Sequence, residues 1–133
     1  MNYYTSTTLH IDFPTAIQQV KAALKDEGFG VLSEIDIRQK MKEKTNTEFR
    51  NYTILGACNP PLALEALGVE DKVGVMLPCN VIVQELKSGE IEVASIDPFA
   101  SMQVIDNDEL SVVAKQVREK LENVVNALSE TAE

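Results

Sequence analysis

Two cysteines, each followed by an asparagine, are the residues of this 133-residue chain best suited to chemistry. They stand in the segments Gly56–Pro61 (GACNPP) and Leu77–Asn80 (LPCN). Cys58 directly precedes a predicted helix N-terminus, where the helix dipole and free N–H groups stabilise a thiolate. The pattern predicts a reactive or metal-binding thiol. The competing interpretation is that Cys58 and Cys79 are small buried hydrophobic residues beside turns.

Two cysteines alone fall short of a zinc site, which needs four protein ligands, or three with a water. The side chains left to complete one are carboxylates such as Glu34 and Asp97, and His10, the single histidine of the chain. His10 lies next to Asp12 in an alternating segment, which favours a solvated or locally hydrogen-bonded histidine. The candidate metal ligands are therefore Cys58 and Cys79, and a divalent metal such as zinc is the cofactor we expect there.

Other catalytic signatures are incomplete. A Ser-His-Asp triad would have to recruit His10, and no residue marks a nucleophilic serine. The segment Gly28–Gly30 is too sparse for a dinucleotide-binding loop, and no phosphate-binding Walker loop is present. Arg50 is a candidate for binding an anion or for a surface ion pair. The residues therefore leave open whether the protein is an enzyme.

The formal net charge of −9 lies entirely in residues 61–133, because residues 1–60 hold equal numbers of basic and acidic side chains. Nucleic-acid binding needs a basic surface, so we expect no nucleic-acid partner. No stretch approaches the ~20 apolar residues of a membrane span, so we expect no membrane partner. The N-terminus has neither a charged leader nor an apolar run, which predicts a cytoplasmic protein with reduced thiols.

The elements that must position the cysteines follow from periodicity and capping residues. Alternation over Thr8–Phe13 predicts a first strand that starts near Tyr3, and further strands are predicted over 29–36 and 52–58. The apolar run 73–86, broken at Pro78, and the strand 91–96 predict an antiparallel hairpin that turns at Ser88-Gly89. Helical spacing predicts a helix after Asp12, a short polar helix over 37–44 and another from Pro60 to Gly68. The clearest prediction is a C-terminal helix, capped by Asp106 and Glu109, with one continuous apolar stripe. Together these elements predict a single α+β domain with a mainly antiparallel sheet, spanning residues 1–133 with a core at about 3–128.

Four segments carry a resemblance to a known family: 28–36 (GFGVLSEID), 49–61 (FRNYTILGACNPP), 74–81 (GVMLPCNV) and 96–98 (IDP). They resemble the bacterial and archaeal family named domain of unknown function number 302, over about residues 3–128. The resemblance implies a β-α-β-β-β-β-α order, a curved antiparallel sheet similar to that of the TATA-binding protein, and a homodimer. It brings no reaction with it. The residues of these segments that we take as candidate ligand-binding residues are Cys58, Asn59, Cys79, Asn80, Glu34, Arg50 and Asp97, with Asp36 beside them.

Three hypotheses for function remain. The first, which we favour, is a module that binds a small-molecule ligand or a metal near the two Cys-Asn corners. The second is thiol redox or sensor chemistry, with Cys58 as the nucleophile and Cys79 as its resolving partner. The third is a structural or interaction protein with no site, whose acidic half meets a basic partner or keeps a dimer soluble.

Overall fold

Five antiparallel strands form one sheet in the computed structural model, which describes residues 2–131. The strands are β1 (Tyr4–Leu9), β2 (Gly30–Asp36), β3 (Tyr52–Cys58), β4 (Cys79–Glu85) and β5 (Ile91–Ile96). Their order across the sheet is β1-β5-β4-β3-β2, so β4 is the central strand. The helices are α1 (Phe13–Asp26), α2 (Ile37–Thr45), α3 (Pro60–Val69), α4 (Pro98–Ser101) and α5 (Asp108–Thr131), with short 3₁₀ segments at Asp71–Met76 and Met102–Val104.

The two long helices α1 and α5 cover one face of the sheet. Because side chains alternate along a strand, the residues of β3, β4 and β5 sort into a covered and an uncovered set. The covered set is almost wholly buried: Thr53, Leu55, Ala57, Cys79, Val81, Val83, Ile91, Val93 and Ser95. We call the other side the open face, and it carries Tyr4, Ile35, Tyr52, Ile54, Asn80, Ile82, Gln84, Glu92, Ala94 and Ile96.

The predicted apolar stripe of the C-terminal helix joins two hydrophobic cores. The larger core lies between the sheet, α1 and the C-terminal half of α5, where Leu121 and Val124 are buried. The smaller core lies between α3, the 3₁₀ segments and the N-terminal half of α5, around Leu110 and Met102. Val117 packs against both cores. One helix therefore holds the sheet and the α3–α4 layer together.

The structure confirms the α+β class, the antiparallel sheet and the predicted element order, with α2 and α3 inserted between strands. Two strands are shorter than predicted: β1 ends at Leu9 because Asp12 caps a helix that begins at Phe13, and β4 begins only at Cys79 because residues 71–76 are 3₁₀. The Asp12 carboxylate accepts from Thr15 N–H and that of Asp36 from Gln39 N–H, so the predicted caps of α1 and α2 are correct. The predicted cap of α5 at Asp106 is wrong. Asn107 takes that role, because its side-chain oxygen accepts from Leu110 N–H at 3.1 Å while its amide donates to Val69 O at 2.8 Å. The likeness to the TATA-binding-protein sheet stays a prediction.

No helix within residues 2–131 is long and apolar enough to cross a membrane.

The two Cys-Asn segments meet where β3 pairs with β4. Ala57 lies opposite Cys79, and Gly56 lies opposite Asn80. A Cβ atom at Gly56 would come within 2.7 Å of Pro78 Cγ and would also collide with Ser33 Oγ. Only glycine therefore lets the Pro78 ring lie against β3 and bring the two corners together.

We expect Gly56→Ala to lower the free energy of unfolding by about 1–3 kcal/mol, because the added methyl overpacks against the rigid Pro78 ring. Gly30→Ala is the matched control, since a Cβ at Gly30 meets nothing within 4 Å. Urea denaturation of both variants measures the difference. Equal stability of the two variants would contradict the packing described for this corner.

Candidate functional site

A small apolar cavity of about 40 Å³ lies where the two hydrophobic cores meet. Its walls come from the end of β3, the start of β4, helix α3, the α4 segment and the N-terminal half of α5. Three sulfur-bearing side chains line it, those of Cys58, Cys79 and Met102. The remaining lining residues are apolar except for Asn59: Phe29, Ala57, Leu62, Ala63, Ala66, Leu77, Pro78, Pro98, Leu110, Val113, Ala114 and Val117.

Antiparallel pairing brings the two predicted corners to one wall of this cavity. Cys58 is the last residue of β3 and Cys79 the first residue of β4, and these strands are neighbours. Both cysteines are free thiols; Cys79 is buried and Cys58 is half-buried. The two cysteines lie 21 residues apart in the chain, and the sequence did not show whether they are close in space. The structure places both in the lining of one cavity.

Asn59 builds the corner beside Cys58. Its side-chain oxygen accepts from Leu62 N–H at 3.3 Å and so caps α3, and its amide donates to Glu27 O at 3.4 Å. Gly28 follows Glu27 with a φ of +83°, and a Cβ there would approach the Asn59 amide to 3.1 Å. Asn59 therefore ties the end of α1 to the start of α3, which sets the position of one cavity wall.

Asp97 positions the opposite wall. One of its carboxylate oxygens accepts from Ala100 N–H at 3.1 Å, which caps α4 just before Met102. The other lies 3.3 Å from Arg118 Nε, which also lies 3.0 Å from Glu122. The Arg118 guanidinium sits 5.5 Å from the Phe99 ring. These contacts hold the α4 segment against α5, and Asp97 is adjacent in sequence to the cavity residue Pro98.

Burial dominates the electrostatics of the site. It raises the pKa of the Cys79 thiol from the ordinary 9.0 to about 11, and the neighbouring Cys58 adds to the rise. A thiolate at Cys79 would lose its hydration without gaining a positive charge in return. At neutral pH Cys79 is therefore a protonated thiol.

The other candidate residues lie elsewhere. Asn80 is exposed on the open face, and Arg50 donates to Gln84 at 2.8 Å at one end of that face. Glu34 forms an ion pair with Lys21 of α1 at 2.6 Å. Asp36 caps α2. Cys58, Asn59 and Cys79 are thus brought together, with Asp97 beside them, while Asn80, Arg50 and Glu34 are not.

Met102 is the cavity residue that sequence reasoning missed. It follows the Ile96–Pro98 segment and begins a short 3₁₀ segment, where no periodicity shows which side chains face the interior. The residues that the structure describes contain no group of three or more His, Cys, Asp or Glu side chains placed to hold a metal ion. The third sulfur near the two cysteines is a thioether.

A family model described as "Domain of unknown function DUF302" matches residues 4–128 of the chain. The chain belongs to the DUF302 family. Its fold is similar to a crystal structure of an uncharacterized conserved DUF302 protein from Bacillus stearothermophilus, with a TM-score of 0.88 and 24% sequence identity. That likeness covers 95% of this chain and 98% of the other. A search of curated proteins found no match.

The buried Cys79 of this DUF302 chain predicts a loss of stability at alkaline pH. The unfolded chain releases the thiol proton near the ordinary pKa while the folded chain keeps it until about pH 11. At neutral pH the Cys79 thiol therefore has no effect on the free energy of unfolding. As the pH rises from 9.0 towards 11, the free energy of unfolding falls, by about 2 kcal/mol at pH 10.5.

Denaturation of wild type and Cys79→Ala at pH 8 and pH 10.5, with reductant present, measures this effect. We expect the fall in stability to be smaller in Cys79→Ala by about that amount. Cys58→Ala should keep most of the fall, because burial is the larger cause. Identical pH dependence in wild type and Cys79→Ala would show that Cys79 is not buried as described.

We expect Asn59→Ala to cost about 1 kcal/mol of stability relative to Asn59→Ser, because serine retains an oxygen that can cap α3 and alanine does not. Urea denaturation of both variants at neutral pH gives the difference. If the serine and alanine variants are equally stable, the cap does not hold this corner.

Proposed function

We propose that the protein is a binding module for a soft monovalent metal ion of the Cu(I) class, held by the sulfurs of Cys58, Cys79 and Met102. The observation that carries the proposal is that both cysteines and one methionine line a single apolar cavity. Thiolate and thioether ligands favour Cu(I), whereas carboxylate and carbonyl oxygens suit harder ions.

The size and chemistry of the cavity support a metal ion over an organic ligand. Drug-sized ligands occupy pockets of roughly 300–1,000 Å³, whereas this cavity measures about 40 Å³. No charged side chain lines it, so a charged organic molecule would find no partner there. The three sulfur ligands also favour Cu(I) over the zinc that the sequence led us to expect. A closed zinc site requires four ligands, and its usual forms contain no thioether.

Binding must displace protons from the site. Each thiol that becomes a thiolate ligand releases one proton, so capture of one Cu(I) ion by both cysteines releases two. The positive ion then supplies the charge that a buried thiolate lacks in the free protein. Affinity for Cu(I) is therefore expected to rise with pH across the neutral range.

The redox alternative receives less support. It requires Cys79 to attack an oxidised Cys58 as a thiolate, and burial raises the pKa of Cys79 to about 11. The thiolate fraction at neutral pH is therefore very small. A reducing, cytoplasmic setting belongs to the proposal, since both thiols must stay free to bind the metal.

Anaerobic competition with a chromogenic Cu(I) chelator tests the proposal on the full chain. Wild type should bind one Cu(I) per chain. Cys58→Ser and Cys79→Ser should each weaken binding at least about 100-fold, and Met102→Leu by about 10-fold. Loss of a group that only supports a metal ligand already costs about 10–100-fold in affinity, so loss of a thiolate ligand should reach the upper end and loss of the thioether the lower end.

Met76→Leu is the matched control, because Met76 packs against the smaller core without lining the cavity. It should leave the affinity unchanged, and circular dichroism melts should show all four variants folded. Failure of the wild type to compete for Cu(I), or stoichiometric binding of Zn(II) in its place, would overturn the proposal.

A further inference from the structure

The open face of the sheet carries an apolar centre that stays partly exposed within residues 2–131. Its middle row runs Ala94, Ile82, Ile54, Ile35 across four strands, continuing from Ser6 of β1. Ile35 is 40% exposed and Tyr4 38% exposed. A trough of about 380 Å³ follows this face between the tyrosines of β1 and β3. Contiguous apolar surface of this kind marks an interaction site.

One polar row crosses an end of the same face. Tyr52 of β3, Gln84 of β4 and Glu92 of β5 lie side by side in the register. Arg50 donates to the Gln84 side-chain oxygen at 2.8 Å and its guanidinium lies 5.4 Å from the Tyr52 ring. The Gln84 amide donates to Glu92 at 2.7 Å. The row therefore has a positive end on the β3 side and a negative end on the β5 side.

The face is close to neutral in a chain whose net charge is −9. Arg50 and Glu92 are the charged groups of the row, and the rest of the open face is apolar or carries neutral amides and hydroxyls. Two copies of a strongly acidic protein repel each other in most relative orientations. Because the charges on the open face balance, such repulsion is small when two copies approach through it.

The arrangement of strands makes the row complementary to itself. Strand β4 is central, with β3 and β5 on either side. A two-fold axis parallel to β4, lying between two facing sheets, exchanges β3 of one copy with β5 of the other. Arg50 of each copy therefore lies opposite Glu92 of the other, which gives two such pairs. Ile82 and Gln84, which lie on the axis, each face the same residue of the second copy. Closed two-fold pairing is the commonest form of homo-oligomer.

We propose that a second copy of this chain covers the open face, paired about a two-fold axis along β4, with Arg50 of each copy facing Glu92 of the other. The apolar rows pack as the inner faces of two aligned sheets do, about 10 Å apart. The polar row then selects this alignment, because reversing one sheet places like charges together and sliding it along the strands separates the opposite charges.

Charge reversal tests the pairing. Arg50→Glu and Glu92→Lys should each weaken the dimer at least about tenfold in sedimentation equilibrium, because like charges then face each other at two places. An equimolar mixture of the two variants should restore wild-type affinity as a heterodimer, since both cross-copy pairs are then of opposite sign. If a substitution instead weakened the dimer by disturbing the fold of its own chain, mixing the two variants would not restore the affinity.

Matched controls lie on the outer side of α5. Lys115 and Glu119 are exposed there, so Lys115→Glu and Glu119→Lys repeat the charge changes away from the open face. They should leave the dimer intact. Ile82→Asp, which brings two carboxylates together on the axis, should give a monomer by a route independent of Arg50 and Glu92.

Two results would overturn the proposal. One is a wild-type protein that stays monomeric at several hundred micromolar, which would leave the trough for another occupant. The other is a dimer that all the open-face variants leave unchanged, which would place the interface on a different surface.

Discussion

The structure depends on one constraint. A five-stranded sheet has two faces, and within residues 2–131 the long helices pack against only one of them. The apolar stripe of α5 must be buried, and together with α1 it covers one side of the sheet. The opposite side keeps its isoleucines and tyrosines partly exposed, along a trough. The covered side thus builds the core and the sulfur-lined cavity, and the open side becomes the surface available to a partner.

The length of α5 explains where the cavity lies. Its C-terminal half packs on the sheet and its N-terminal half packs on α3 and the α4 segment, with Val117 between them. A cavity of about 40 Å³ remains where the two cores meet along this helix. Cys79 belongs to the first core and Met102 to the second, so side chains from both cores line this cavity.

The fold was largely predictable because its signals are local. Asp12 and Asp36 cap the helices that their positions predict, and β3 spans 52–58 as the alternation indicates. The cap of α5 was misplaced by one residue for a physical reason. Asn107 and Asp106 are both good capping residues, and Asn107 prevails through its second hydrogen bond, to Val69 in α3, which the sequence does not display.

By itself the sequence determined the elements, their order, the acidic second half and the presence of two Cys-Asn corners, because periodicity, capping and composition act over a few residues. Only the tertiary structure decided that Cys58 and Cys79 share a cavity, that Met102 joins them, and that Asn80 and Arg50 instead lie on the open face. Those outcomes depend on the register between strands and on which sheet face the helices cover. Both are set by contacts between residues far apart in the chain, which short-range patterns do not encode.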